Sequence, residues 1–594
     1  MGKIISSEEH GRTVKLVEKD QAIIRAANVT NYVSARNSIN WHKEETSFTW
    51  KATGHLNLAH EAVDRWVSEG KGEEIAVRIV GEGFAQELTF QMLQDQSNQF
   101  ANFLRQIGVQ KGDRVFILLP YSAECFAAYF GTLKVGAIVG TLFDTFTSDS
   151  IAQRMKDAQA VVLVTLPAYK KRVPYPILDQ LKHVVLVGDD GDREFYGDAQ
   201  VYAWEEEVAS ASTECQVEWV DAEDPAILHY TTRPKETAKG IVLPHRAMTF
   251  MRYTAKTVLD LKDGDVIWVT FDVGHIAGVV YEIIAPLLCG GVKIVAYRGK
   301  VDANLWVQVI QNENVTVWYT SPTALRLIMT AGPQTLQKYQ ISSLRLIFSV
   351  GEPLSEDLID WSLREPPEGL GLPVHDTFWM TETGGITIAN FPSMKIKIGS
   401  IGVPVPGVKA TVLGEKGEEL PPYEVGTLVM ESGWPGMFTG VWGDEAIFNH
   451  YFRCDPWFST IDHAYVDNGG YFWLKTIETA CFGDGQEVTP FEIEQKLLEH
   501  PGVAEVGVVG IMDESLGNII KAFIKPSDLP VEDVEQFKEE LMTLVANKCG
   551  ADWAPKEIIV LPFTTPDGTV VEELPKTASG KMMRRILQDW ATPK

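Results

Sequence analysis

The chain has 594 residues, enough for several domains at roughly 100–200 residues each. Hydrophobic residues make up 45% and charged residues 22%, the balance of a globular chain with a large core. The net charge of −27 repels nucleic-acid phosphates and anionic membranes, so neither is an expected partner.

The six cysteines are scattered and form no CxxC pair, which argues against a zinc site or a disulfide framework. Reduced thiols fit a cytoplasmic location. The opening "MGKIISSEEHGR" has no apolar stretch and reads as no signal peptide. Gly2 and Ser6 match a short myristoylation pattern, which we read as a chance match.

Residues 1–50 are polar and mixed and read as an N-terminal extension. From Thr89, the residues Leu93, Ser97, Phe100, Leu104 and Ile107 recur at helical spacing, and Gly108 stops the helix. "RVFILLP", "VVLVT" and "HVVLVGDD" follow as short apolar runs bounded by breakers, and "LRLIFSVGEPL" repeats the theme from 344. Strands alternating with helices predict an α/β fold with mainly parallel sheets. "VVYEIIAPLLCGGVKIVA" is apolar but carries Glu282 and a Gly-Gly break, so it reads as buried structure and not a membrane span. The large α/β domain is expected over 51–477. A small α+β domain is expected over 478–594. It opens on a helix start at Thr489, Pro490 and Glu492, followed by two strands, "AEVGVVG" and "IIKAFI".

Five stretches carry a resemblance: "YTTRPKETAKGIVLPH", "SVGEPLSEDLIDW", "HDTFWMTETGG", "STIDHAYVDNGGYFWL" and "LPKTASGKMMRRIL". In this order they resemble the AMP-forming acyl-CoA synthetases, closest to the short-chain acetyl-CoA synthetases. The resemblance runs from "SINWHKEETSFTW" to the C-terminus, and motifs agreeing in order and spacing are more specific than any one alone. It implies a large domain with a small mobile one, ATP or AMP, CoA and Mg²⁺, and a carboxylate substrate. A homo- or hetero-oligomer is left open.

By the same resemblance, Gly351, Glu352 and Pro353 lie against the adenine ring, and Asp376 and Thr377 against its other face. Thr381 touches the α-phosphate and Glu382 helps hold Mg²⁺, a hard cation that wants a carboxylate. Trp379 floors a small acyl pocket. Asp462 takes the ribose hydroxyls, as a carboxylate accepting two donors. Lys581 reaches the carboxylate and α-phosphate, offsetting the charge of two anions brought together.

Three stretches depart from the family pattern. The phosphate loop normally reads Thr-Ser-Gly-Ser-Thr-Gly-x-Pro-Lys-Gly. Here Thr231, Thr232, Arg233, Pro234, Lys235, Glu236, Thr237, Ala238, Lys239 and Gly240 occupy it. Both inner glycines, which let backbone N–H groups approach phosphate, are gone. Arg233 and Lys235 supply side-chain phosphate ligands instead, while Glu236 repels a polyphosphate. In the hinge, "LKTIETACFGDGQEVTP" lacks both family arginines, and "TGD" has become "TID". "DVGHIAG" puts His275 where the family has Trp, ahead of Ile276, Ala277 and Gly278 on the acyl side. His275 reads equally as a site residue or as a satisfied buried histidine.

The leading reading is an acyl-CoA synthetase-like ligase for a short carboxylate with altered phosphate handling. Two alternatives stand beside it. One is a non-catalytic nucleotide- or acyl-CoA-binding subunit. The other is an enzyme of this fold using AMP, ADP or acyl-AMP in place of ATP.

Overall fold

The computed structural model describes residues 3–9, 12–173, 181–188, 198–231, 238–352, 354–475, 490–513, 517–527, 533–549, 553–565, 568–576 and 582–591. It has a mixed α/β fold, and the chain divides into two compact units. The first takes Met1–Thr232, Ala238–Thr460 and Tyr465–Trp473. The second takes Leu474–Lys594 with the short pieces Arg233–Thr237 and Ile461–Ala464.

Two large sheets dominate the first unit, of eight and nine described strands. In the eight-stranded sheet, Ile138–Thr141, Arg114–Leu118, Val162–Thr165, His183–Leu186 and Gln200–Ala203 run parallel. The inner strands, Arg114–Leu118, Ile138–Thr141 and Val162–Thr165, are short apolar runs buried on both faces as parallel strands require, while Gln200–Ala203 at the edge is partly exposed. Phe116 pairs with Gly140, where an added Cβ would lie 2.6 Å from the Phe116 ring; only glycine admits it. The helix Phe90–Gln106 begins on a Thr89 cap, Met92 N–H donating to the Thr89 hydroxyl at 3.2 Å. Its apolar face holds Leu93, Phe100 and Leu104, and Gly108 turns the chain away at φ 85°.

In the nine-stranded sheet, Val374–Phe378, Leu346–Ser349, Val317–Thr320, Val266–Val269, Lys293–Arg298 and Ile75–Gly81 are parallel neighbours. Its core stacks Trp268 on Trp318 with ring centroids 6.1 Å apart, and Trp306 meets Trp268 edge-on at 5.7 Å. A further four-stranded sheet contains Ala410–Leu413, Gly426–Glu431, Trp457–Val466 and Phe472–Lys475.

The segment read as an N-terminal extension contributes structure to the first unit. The antiparallel strands Lys3–Glu9 and Arg12–Glu18 add Ile396–Lys397 as a third strand. Lys397 then reaches Glu9 at 2.6 Å and the buried Asp467 at 2.8 Å.

In the second unit, the helix Pro490–Leu497 packs on the antiparallel strands Val503–Asp513 and Gly517–Pro526, and Glu557–Val560 pairs in parallel. Ile493, Leu497, Val508, Phe537, Leu541 and Trp553 form its core. Glu494 accepts from the Val508 N–H at 2.8 Å and pairs with Arg584 at 2.7 Å. The start at Thr489, the hinge stretch 476–489 and Lys581 lie outside the described residues.

Candidate active site

Three adjacent parallel strands of the nine-stranded sheet, Val317–Thr320, Leu346–Ser349 and Val374–Phe378, bring two of the five stretches, "SVGEPLSEDLIDW" and "HDTFWMTETGG", together at their carboxyl ends. Open parallel sheets bind ligands outside those ends. Register sets Thr320 beside Ser349 and Ser349 beside Asp376.

A directed chain of hydrogen bonds links them. Trp379 Nε1–H donates to the Tyr319 oxygen at 2.9 Å. Tyr319 Oη lies 2.8 Å from Thr377 Oγ1, which donates to the Ser349 carbonyl at 2.8 Å. Each hydroxyl has one proton, so the Tyr319 O–H must point to Thr377. Tyr281 closes over Trp379 edge-on, centroids 5.2 Å apart. The Tyr281 oxygen accepts from the Ile386 N–H at 2.7 Å. Trp379 is thus buried with its ring plane fixed on two sides.

Asp376 is buried, and its Oδ1 accepts from the Ser349 hydroxyl at 2.8 Å and the Thr377 N–H at 3.2 Å. Burial pushes its carboxyl up to about 7, against the pull of those two donors. Thr377 is also buried. On the next turn, Gly351 holds φ 96° and Glu352 accepts from the Thr323 hydroxyl at 3.0 and 2.8 Å. Pro353 lies outside the described residues.

Thr381 and Glu382 sit in a short 3-10 turn, Thr381–Thr383, and both are buried. Gly384 ends the turn at φ 64°, where a Cβ would lie 1.9 Å from the Gly436 carbonyl oxygen. Glu382 Oε1 accepts from the Tyr451 hydroxyl at 2.6 Å. A buried carboxylate oriented by a tyrosine suits one ligand position of a hard divalent cation.

Thr231 ends the strand Pro225–Thr231 and pairs with Lys239 on the antiparallel return strand. The stretch read as an altered phosphate loop therefore starts and ends on paired strands. Thr232, Arg233 and Lys235 lie outside the described residues.

His275, expected on the acyl side, caps a short helix, its Nδ1 accepting from the Ala277 N–H at 3.0 Å, so a neutral ring carries its proton on Nε2. The ring stacks on Phe271 at 4.6 Å. Ile276 and Ala277 are buried, and Gly278 has no room for a side chain, a Cβ there lying 2.3 Å from the Asp272 carbonyl. Asp462 lies on the strand Trp457–Val466, next to Ile461, which holds a left-handed φ of 69°.

Sequence reading missed Tyr319, Tyr281, Tyr451 and Thr323. Each looks like an ordinary core or helix-start residue in one dimension. Only the position of Tyr319 at the end of a buried strand beside "TSPTAL" carried a signal.

Similarity to known proteins agrees with this geometry. The AMP-binding enzyme family model matches residues 63–442, and the AMP-binding enzyme C-terminal domain matches 492–581. The chain is 38% identical over 565 residues to an acetyl-coenzyme A synthetase of Bacillus subtilis (strain 168), covering 95% of each. It is 35% identical over 588 residues to the acetyl-coenzyme A synthetase of Streptomyces coelicolor, covering 93% of this chain and 88% of that one. Among solved structures, an acyl-CoA synthetase of Brucella canis aligns with TM-score 0.71 at 28% identity, covering 94% of this chain and 98% of that one. An anthranilate CoA ligase in complex with anthranoyl-AMP aligns with TM-score 0.77 at 26% identity, covering 90% and 96%. The chain belongs to the AMP-binding enzyme family and is an adenylate-forming ligase of the acyl-CoA synthetase type.

Proposed function

We propose that this ligase activates a short carboxylate, acetate first among them, and passes the acyl group to CoA. The observation that carries the reading is Trp379, locked by Tyr319 and Tyr281 at the carboxyl ends of the nine-stranded sheet. A rigid indole there limits acyl length. Similarity to acetyl-coenzyme A synthetases over nearly the whole chain supports the same substrate class.

In this reading the carboxylate oxygen attacks the α-phosphorus of ATP, pyrophosphate leaves, and the CoA thiol then displaces AMP from the acyl-adenylate. Lys581 offsets the charge as the two anions approach. Thr381 hydrogen-bonds the α-phosphate, and Asp462 takes the ribose hydroxyls. Gly351, Glu352, Pro353, Asp376 and Thr377 frame the adenine. Glu382, oriented by Tyr451, would hold Mg²⁺, which would supply positive charge against the phosphates. Arg233 and Lys235 replace the lost loop amides as phosphate ligands, with Thr231, Thr232 and Lys239 flanking them.

A second reading draws on the same loop: with its glycines gone, the site takes AMP or an acyl-adenylate in place of ATP. We place the protein in the cytoplasm, acting on small molecules. No helix among the described residues is long and apolar enough to cross a membrane. Calorimetric titration with ATP and with AMP, each with Mg²⁺, separates the readings when followed by pyrophosphate release with acetate and CoA. ATP binding with pyrophosphate release supports the ligase. AMP binding alone supports the second reading.

A further inference from the structure

The strand pair Lys3–Glu9 and Arg12–Glu18 lies outside the stretch matched by the family model, which begins at residue 63. Its second strand nevertheless reaches both segments assigned to the adenine ring. Lys15 pairs with Glu356, the first residue of the helix that follows Gly351 and Glu352. Both of these side chains are about half exposed, so their contact contributes little. Val17 is fully buried in the same hydrophobic cluster as Leu354, Leu358 and Val374.

The stronger link runs through Lys19, just past the strand. Lys19 is buried, and its ammonium donates to the Phe391 carbonyl at 2.6 Å and the Pro392 carbonyl at 3.2 Å. No carboxylate among the described residues pairs with it. Burying a charge without a counter-charge is costly, and an apolar side chain would fill the space without that cost. What the ammonium adds is its hold on two backbone carbonyls.

Those carbonyls belong to a stretch tied to the nucleotide side. Asn390 precedes Phe391, and its N–H donates to the Asp376 carbonyl at 3.0 Å. Its side-chain amide donates to the Ser400 carbonyl at 3.2 Å. Ala389 lies opposite Thr377 in the antiparallel ladder. A Cβ at Gly402 would lie 2.1 Å from the Ala389 carbonyl, so this end has no slack. Further on, Ile396 lies opposite Val17, and the Ile398 N–H donates to the Lys15 carbonyl at 3.0 Å. Residues 389–398 are therefore held by the strand Val374–Phe378 at one end and by the hairpin at the other, with Lys19 gripping the middle.

We propose that Lys19 is a positioning residue for the nucleotide: by holding the Phe391 and Pro392 carbonyls it fixes Asn390, and through the Asn390–Asp376 hydrogen bond it sets the strand end against which adenine binds. The hairpin anchors this brace, and Lys19 itself need not touch the ligand. The proposal rests on the reading of Asp376 and Thr377 as adenine-side residues.

The test is calorimetric titration of the full-length protein with AMP, on the natural chain, Lys19→Met and Lys19→Gln. Methionine keeps the apolar stem and loses every donor, while glutamine keeps an amide donor. The Kd for AMP should rise on the order of fivefold in Lys19→Met and less in Lys19→Gln. In pyrophosphate release, the KM for ATP should rise by the same factor, with kcat and the KM for acetate unchanged. Amide hydrogen exchange at Asn390 should speed up in Lys19→Met. Phe100→Leu, a core change in the helix Phe90–Gln106, controls for lost stability and should leave the Kd for AMP unchanged. An unchanged Kd in Lys19→Met overturns the proposal. So does natural exchange at Asn390, an equal rise in Phe100→Leu, or failure of both Lys19 variants to fold. Asp376→Ala separates the two readings: natural AMP affinity there would remove Asp376 from the adenine site, while exchange at Asn390 still judges the brace.

Discussion

The Trp379 indole N–H donates to the Tyr319 hydroxyl oxygen at 2.9 Å, and both side chains are buried. Tyr319 lies at the end of one strand and Trp379 just past the end of another, with one strand between them. Tyr319→Phe leaves the indole N–H and the Thr377 hydroxyl short of a partner, at about 1–3 kcal/mol for an orphaned buried group. The melting transition should fall, and the KM for acetate should rise more than kcat falls. Trp379→Ala removes the ring altogether. It should cost about 3–5 kcal/mol of stability and shift preference from acetate toward longer acids. Rates with two-, four- and six-carbon acids check this; unchanged preference would remove Trp379 from the acyl pocket.

Tyr451 orients Glu382 through a hydrogen bond of 2.6 Å. Outer-shell partners of metal-binding carboxylates are worth roughly 10–100-fold in metal affinity or activity. Tyr451→Phe should therefore raise the Mg²⁺ concentration needed for half-maximal pyrophosphate release by about that factor. The rate at saturating Mg²⁺ should recover most of its value. A variant with the natural Mg²⁺ dependence would detach Glu382 from the metal.

Asp376 makes stability depend on pH in a fixed direction. Burial raises its carboxyl from 3.8 to about 7, so between those values the folded chain holds a proton that the unfolded chain has lost. The stabilisation is complete below pH 3.8 and is lost as pH rises through about 7, at no more than about 1.4 kcal/mol per pH unit per group. Asp272 adds a second slope of the same sign. Burial holds His229, His245 and His375 below the ordinary 6.5, which slopes stability the other way below that pH, so the Asp376 proton is read as a difference: from pH 5 to 8 the melting temperature of the natural chain should fall relative to that of Asp376→Asn. An equal slope in that variant would place the Asp376 proton elsewhere.

Much of this arrangement was legible in one dimension. The β-branched runs at 114, 162, 183 and 346 are strands because nothing but a doubly covered parallel sheet buries them on both faces. The helix over 90–106 followed from its spacing, its Thr89 cap and Gly108. The hydrogen-bonded frame around Trp379 was not legible, since Tyr281, Tyr319 and Thr377 come from distant segments whose adjacency depends on strand order. Glu282 was taken only as an interruption of an apolar run, because burial without a partner is a property of packing. The hairpin of residues 3–18 was hidden by polar composition. One face is exposed, and among the described residues Ile4, Leu16 and Val17 turn toward the core.

The segment "TID" pairs a departure from the family pattern with a left-handed backbone. Ile461 stands where the pattern has glycine, yet it keeps φ 69°, a conformation that glycine adopts freely and a β-branched residue resists. The left-handed conformation costs an ordinary residue about 1–2 kcal/mol, and the Ile461 side chain is 41% exposed, so little burial offsets it. Ile461→Gly removes the clash and adds about 0.5–1 kcal/mol of chain entropy to the unfolded state. The net expectation is a higher melting temperature. Ile461→Ala keeps the Cβ and should not share the gain. Strain of this kind persists where the surrounding structure holds it, often beside a functional group. Asp462, the proposed ribose ligand, is that neighbour, so relief at 461 should raise the Kd for AMP in the glycine variant. A glycine variant with a higher melting temperature and unchanged AMP affinity would make the strain a relic of substitution with no bearing on Asp462.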